Sequence, residues 1–183
     1  LYKMKVFQIG FNKCGTKSLR DWFIQNGYNS VHWDNYKWDN HFTKNQSNDL
    51  PLCDGADDVV FWSDIGFVQR QFQIFAEQYP TSKFIYNIRN VDEWLDSRDR
   101  QYKKHPQAFT DNFGFTIDNQ LDRMDYWKSE WFYHKKVIDE YFVGKKSKRL
   151  LTFNIGEDSP QKIVDFLTEL DFGDMNFPWR NKG

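Results

Sequence analysis

The chain has 183 residues, enough for one domain with a proper core and no need of disulfides or a structural metal. Its 25 basic and 26 acidic residues leave a net charge of −1. That balance argues against a general nucleic-acid or membrane-surface binder, so any anion site must be local. Two isolated cysteines, Cys14 and Cys53, make neither a disulfide framework nor a zinc site.

Strand and helix patterns alternate along the chain. An apolar run at 5–10 reads as a strand, and 15–26 as a helix with Leu19, Trp22 and Phe23 turned inward and Gly27 as its stop. A short strand is expected at 30–33. Residues 34–56, rich in Asn, Asp and Lys, read as irregular with room for one short helix. A buried strand at 57–64 leads to a helix at 67–79, ended by Pro80. Then follow a strand at 83–89, a helix at 91–104, a loop at 106–116 and a long helix at 117–142 with Ile117, Leu121, Met124, Trp131, Ile138 and Tyr141 inward. The last strand is 149–155, and the last helix is 159–170 with Ser159 as cap and Pro160 in its first turn.

This order predicts an α/β fold of three layers, with a central parallel sheet of about five strands flanked by helices, of the P-loop nucleotide-binding type, in one domain. No run approaches the roughly 20 apolar residues of a membrane span. No signal-peptide pattern opens the chain, and the expected compartment is the cytoplasm.

The stretch VFQIGFNKCGTKSL, residues 6–19, carries the chemistry. A strand passing through a glycine turn into a helix start makes an anion site. The first helical N–H groups lack partners within the helix, and the helix dipole is positive there. The stretch nearly matches G-x-x-x-x-G-K-[ST]. With Gly10 and Gly15 aligned, however, Thr16 stands where the lysine belongs and Lys17 where the magnesium-binding hydroxyl belongs. Both losses argue against a nucleoside-triphosphate enzyme, whose chemistry leans on the metal.

KCGT, residues 13–16, instead resembles the 5′-phosphosulfate loop of sulfotransferases that use 3′-phosphoadenosine-5′-phosphosulfate (PAPS). That family pairs the loop with an arginine at a strand end and a serine eight residues later. Here KFIYNIRNVDEWLDSR supplies Arg89 and Ser97. The likeness to a compact subgroup continues in order through GTKSL, His32, WSD at 62–64, YPTSKFIYNIRNVDEWLDS at 79–97, RLLTF at 149–153, DFL at 165–167 and FPWRN at 177–181. It departs at SDIGF, where the usual pattern has a proline after the aspartate.

The resemblance implies in-line transfer of a sulfuryl group from PAPS, with no metal, to a hydroxyl or amine. The acceptor would be a small molecule, a glycan or a lipid, held by segments 34–56 and 105–116. Lys13 would stabilise the leaving phosphate. Asn12, Thr16, Lys17, Ser18 and the backbone at Cys14 and Gly15 would hold the 5′-phosphate, with Arg89 and Ser97 on the 3′-phosphate. Two residues compete for the base. His32 has an ordinary pKa near neutrality, and Asp64 equally suits the N-cap of the following helix. His134, a basic tail at Arg180 and Lys182, and the rings of Trp33, Trp62 and Trp94 have both site and packing readings. The competing functions are a P-loop kinase and a binding module that holds nucleotide without transfer.

Overall fold

The computed structural model describes residues 4–106 and 119–179. It divides into two compact units, Leu1–Ile88 with Gly144–Gly183, and Arg89–Val143.

The first unit is built on five strands, β1 (Val6–Gln8), β2 (Ser30–His32), β3 (Phe61–Ser63), β4 (Lys83–Ile88) and β5 (Leu150–Asn154), in the order β2-β3-β1-β4-β5. Every pairing is parallel, with Val6 opposite both Phe61 and Lys83. The inner strands β1, β3 and β4 are buried on both faces and read as near-continuous apolar runs, which explains why they stand out in the sequence.

Side chains alternate across the pleat and meet a different helical layer on each side. On one face Val6, Phe61, Ile85, Leu151 and Phe153 pack with α1 (Thr16–Gln25) and α7 (Gln161–Phe166). Phe23 of α1 lies flat on Phe61, with centroids 4.1 Å apart and 5° between the planes. On the other face Phe7, Trp62 and Phe84 meet α2 (Lys37–Ser47) and α4 (Phe72–Gln78), with Phe42 5.1 Å from Trp62 and Phe75 4.7 Å from Phe7. This is the expected three-layer parallel arrangement.

Helix α1 ends as its sequence predicts. Gly27 adopts φ 83° and donates to the Ile24 carbonyl, and Tyr28 donates to the Phe23 carbonyl. Elsewhere the elements are shorter than the patterns imply. The strand expected at 57–64 pairs only over Phe61–Ser63, and Lys5 Nζ pins the turn before it through the carbonyls of Ala56, Asp57 and Val59 at 3.2–3.4 Å. The helix expected at 67–79 breaks at Gln71, whose φ of −120° is not helical, into α3 (Gly66–Arg70) and α4. Pro160, not Ser159, occupies the N-cap of α7.

Segment 34–56 is more ordered than its composition implies, because α2 is an eleven-residue helix. It buries only Phe42 and Asn45, too little to produce a stripe. Asn45 holds the following turn by donating to the carbonyls of Leu52 and Asp54 at 2.9 and 3.1 Å.

The second unit pairs α5 (Val91–Lys104) with α6 (Gln120–Tyr141). Asn90 and Asn119 cap them. Their interface carries Trp94 against Trp131 at 4.7 Å, and the Arg98 guanidinium over Trp94 and Trp127. The inward stripe of α6 is Arg123, Trp127, Trp131 and Ile138, and Leu121 is exposed. The Arg123–Asp99 ion pair, 2.8 Å and buried at both ends, turns a charged residue inward and rotates the stripe away from the apolar count. Ile117 lies outside the described residues.

Replacing Phe23 with Ala removes the stack on Phe61 and opens a cavity beneath α1. The expected loss is about 3–5 kcal/mol in urea unfolding with an unchanged m-value.

Candidate active site

The chain leaves β1 at Gly10 and turns into α1 through a strained loop. Lys13 has φ 65° and Gly15 φ 78°, both left-handed, which is routine for glycine and uncommon for lysine. Cys14 is buried between them, and its carbonyl accepts from Asn87 Nδ2 of β4 at 2.7 Å. Gly15 sits on Ile155, just past β5. A Cβ there would lie 2.6 Å from the isoleucine side chain. Thr16 and Ser18 are buried in the first turn of α1, while Lys17 faces solvent.

Because the sheet is wholly parallel, β2 and β3 deliver their carboxyl ends to the same edge as this loop, the edge where open α/β sheets bind ligands. His32 closes β2 opposite Ser63, and Asp64 follows Ser63. His32 Nε2 lies 3.1 Å from Thr16 Oγ1 and 3.4 Å from Asp64 Oδ2. The loop, His32 and Asp64 are therefore assembled within the first unit.

The imidazole does not titrate near neutrality. Burial, followed by the charges of Arg20 and Lys17, lowers its pKa to about 4, against weaker opposing effects of Asp21 and the Trp33 backbone. At neutral pH the ring is uncharged and can accept a proton, but it is a weaker base than its residue type implies. The same shift reports a positive field around the start of α1. Arg20 lies one turn beyond Thr16 on the same helical face, a spacing that could have flagged it in the sequence.

Asp64 is not an N-cap. It adopts φ 53°, Ile65 holds the cap position of α3, and Asp39 Oδ1 of α2 accepts the Phe67 N–H at 2.7 Å instead. Asp39 lies in segment 34–56, read as irregular with room for one short helix, a reading that gives no position for a cap.

Arg89 and Ser97 belong to the second unit. Arg89 directly follows β4 and pairs with Glu93 at 2.8 Å, and Ser97 is half-buried on α5. Trp62 and Trp94 are wholly buried in their cores, whereas Trp33 is about half exposed and meets Tyr36 edge-on at 6.1 Å. His134 is half-buried on α6. Arg180 and Lys182 lie outside the described residues, as does most of segment 105–116. Cys14 and Cys53 are buried thiols, and burial pushes that of Cys53 up to about 12. Among the described residues no three His, Cys, Asp or Glu side chains group to hold a metal ion, and no helix is long and apolar enough to cross a membrane.

Comparison with known proteins bears on the family and the fold. The model of a sulfotransferase domain matches residues 5–148. A crystal structure of a sulfotransferase from Alicyclobacillus acidocaldarius shares the fold, with a TM-score of 0.61 and 14% identity over 99% of this chain and 88% of that one. No curated protein sequence matches. With most of its length inside the family model, from the first strand of the sheet to the turn before the last, the chain belongs to the sulfotransferase domain family.

Proposed function

We propose that the chain transfers a sulfuryl group from PAPS to a hydroxyl or amine acceptor. One observation carries the reading. The Thr16–His32 hydrogen bond, with Asp64 beside it, sets a proton acceptor against a cationic strand–loop–helix turn. An anion-binding turn alone would suit many ligands, but group transfer to a hydroxyl needs a base beside it.

The groups present suit a phosphosulfate. The start of α1 offers backbone N–H groups and the hydroxyls of Thr16 and Ser18, beside the charges of Arg20 and Lys17. Asn12, Lys13, Cys14, Gly15, Thr16, Lys17 and Ser18 are assigned to the 5′-phosphosulfate. Arg89 and Ser97 are assigned to the 3′-phosphate on the sequence resemblance. In the transfer, the acceptor oxygen or nitrogen forms a bond to sulfur as the bond from sulfur to the 5′-phosphate oxygen breaks. The acceptor proton passes to His32 or Asp64. Lys13 faces the charge that develops on the departing phosphate, which is electrostatic stabilisation of the transition state.

Calorimetry with adenosine 3′,5′-bisphosphate, set beside ATP with magnesium, tests the donor assignment. Binding of the bisphosphate without metal is expected, and its absence at low salt sinks the reading. Lys13→Ala is expected to lower kcat by about a hundredfold or more while changing bisphosphate affinity by less than about tenfold. Equal losses would reduce Lys13 to a binding role.

The field on His32 makes a further prediction. In NMR the free ring should titrate near 4, and bound bisphosphate, by offsetting Arg20 and Lys17, should raise that value by about one unit or more. The unfolded ring takes up a proton below about 6.5 and the folded ring only near 4. Stability attributable to this residue is therefore intact above 6.5 and falls as pH drops from 6.5 to 4. His32→Gln should remove part of that acid sensitivity, read from urea midpoints across the window.

A further inference from the structure

Two amides stand inside otherwise apolar strands. Gln8 in β1 and Asn87 in β4 are both fully buried, and neither lies among the residues assigned above to donor or acceptor. A buried amide is costly unless its hydrogen-bonding groups are satisfied. Here they are. Gln8 Oε1 accepts the Asp64 N–H at 2.7 Å. Gln8 Nε2 donates to the Gly10 carbonyl and to Asn87 Oδ1, each at 2.5 Å. Asn87 Nδ2 donates to the Cys14 carbonyl at 2.7 Å. Gln69 Nε2 gives the Gly10 carbonyl a second donor at 2.8 Å.

The orientation of both amides is forced. A backbone N–H can only donate and a backbone carbonyl can only accept. With the Asp64 N–H at one end and the Cys14 carbonyl at the other, polarity can run in only one direction through Gln8 and Asn87. Such a chain polarises along its length. Each end meets a strained residue: Asp64 at φ 53°, and Lys13, next to Cys14, at φ 65°. Left-handed non-glycine backbone is unfavourable and persists only where its surroundings over-determine it. Gly10 completes the assembly. A Cβ there would stand 2.1 Å from the Asn87 carbonyl oxygen, so only glycine lets β4 come this close.

We propose that Gln8 and Asn87 are positioning residues, a buried amide relay that fixes the loop bearing Lys13 and the turn bearing Asp64 relative to one another. The proposal deepens the sulfotransfer reading, since it concerns the spacing of the two groups between which donor and acceptor would meet. It also stands on the hydrogen bonds alone, so the two can fail separately.

The test reads the relay without ligand first. In the wild-type chain the side-chain N–H2 protons of Gln8 and Asn87 should be protected from solvent exchange. Fast exchange overturns the relay before any variant is made. In Gln8→Glu at about pH 8, the carboxylate keeps the acceptor for Asp64 but loses both donors. Asn87 must then turn its N–H2 toward residue 8 and away from Cys14. The amide resonance of Gly15, which shares its peptide with the Cys14 carbonyl, should shift although Gln8 does not touch it. Asn87→Asp should likewise shift the amide of Asp64. A folded variant whose change stops at its own neighbours overturns the proposal.

Protonation gives a second readout. A buried Glu has a raised pKa, so near pH 5 its O–H replaces a lost donor. Gln8→Glu should bind adenosine 3′,5′-bisphosphate about tenfold more weakly than wild type at pH 8 and recover most of the loss near pH 5, while Gln8→Met should lose the same at both. Equal loss at both pH values in Gln8→Glu would reduce Gln8 to a packing role. Wild type that fails to bind the bisphosphate refutes the donor assignment and leaves the relay to the exchange and resonance tests.

Discussion

The central strand β1 is three residues long and pairs in parallel on both sides. Parallel pairing brings the carboxyl ends of neighbouring strands to one edge, with their backbone groups spent on the ladder. Here that edge holds the exit of β1, the Asp64 turn after β3, His32 at the end of β2 and Asn87 in β4. The sheet is held level by rings on both faces: Phe23 on Phe61 on one side, and Phe7, Trp62, Phe42 and Phe75 on the other. The aromatic share of the sequence is thus the reason so short a strand can anchor a chemical site.

The site joins opposed electrostatic demands. Burial, and after it the positive field of Arg20 and Lys17 at the start of α1, keeps His32 neutral. A neutral imidazole is what a proton acceptor must be before transfer, yet the same field weakens it as a base. The Asp64 carboxyl group lies 3.4 Å from the ring. A negatively charged group arriving at the turn would offset Arg20 and Lys17 and raise the pKa of His32.

Much of this was legible in the sequence because it rests on local chemistry. Doubly buried strands advertise themselves as apolar runs, and the Gly-x-x-x-x-Gly spacing after one of them marks the turn from β1 into α1 without reference to the rest of the chain. What was not legible depends on partners distant in sequence. Asp39 caps α3 across 28 residues, which left Asp64 free of the role its position invited. Arg123 turned inward because Asp99 receives it, which displaced the apolar stripe of α6. The pKa of His32 depends on burial, a property no single residue announces. Gln8 and Asn87 did leave a trace, since FQI and YNI each put an amide inside an apolar strand, but the reason appears only when the two strands lie side by side.

The last strand and the tail bear on where the functional unit ends. Ile155 underlies Gly15, and residues beyond it clasp α1. Phe172 stacks on Trp22 at 4.6 Å, Trp22 Nε1 donates to the Asp174 carbonyl, and Asn26 exchanges hydrogen bonds with Asp174. The family model stops at residue 148, short of every one of these contacts. A fragment cut at that border would keep the glycine turn and its helix yet lose the floor of Gly15 and the strap on α1. For this chain the packing around α1 reaches beyond the stretch of sequence that identifies the family.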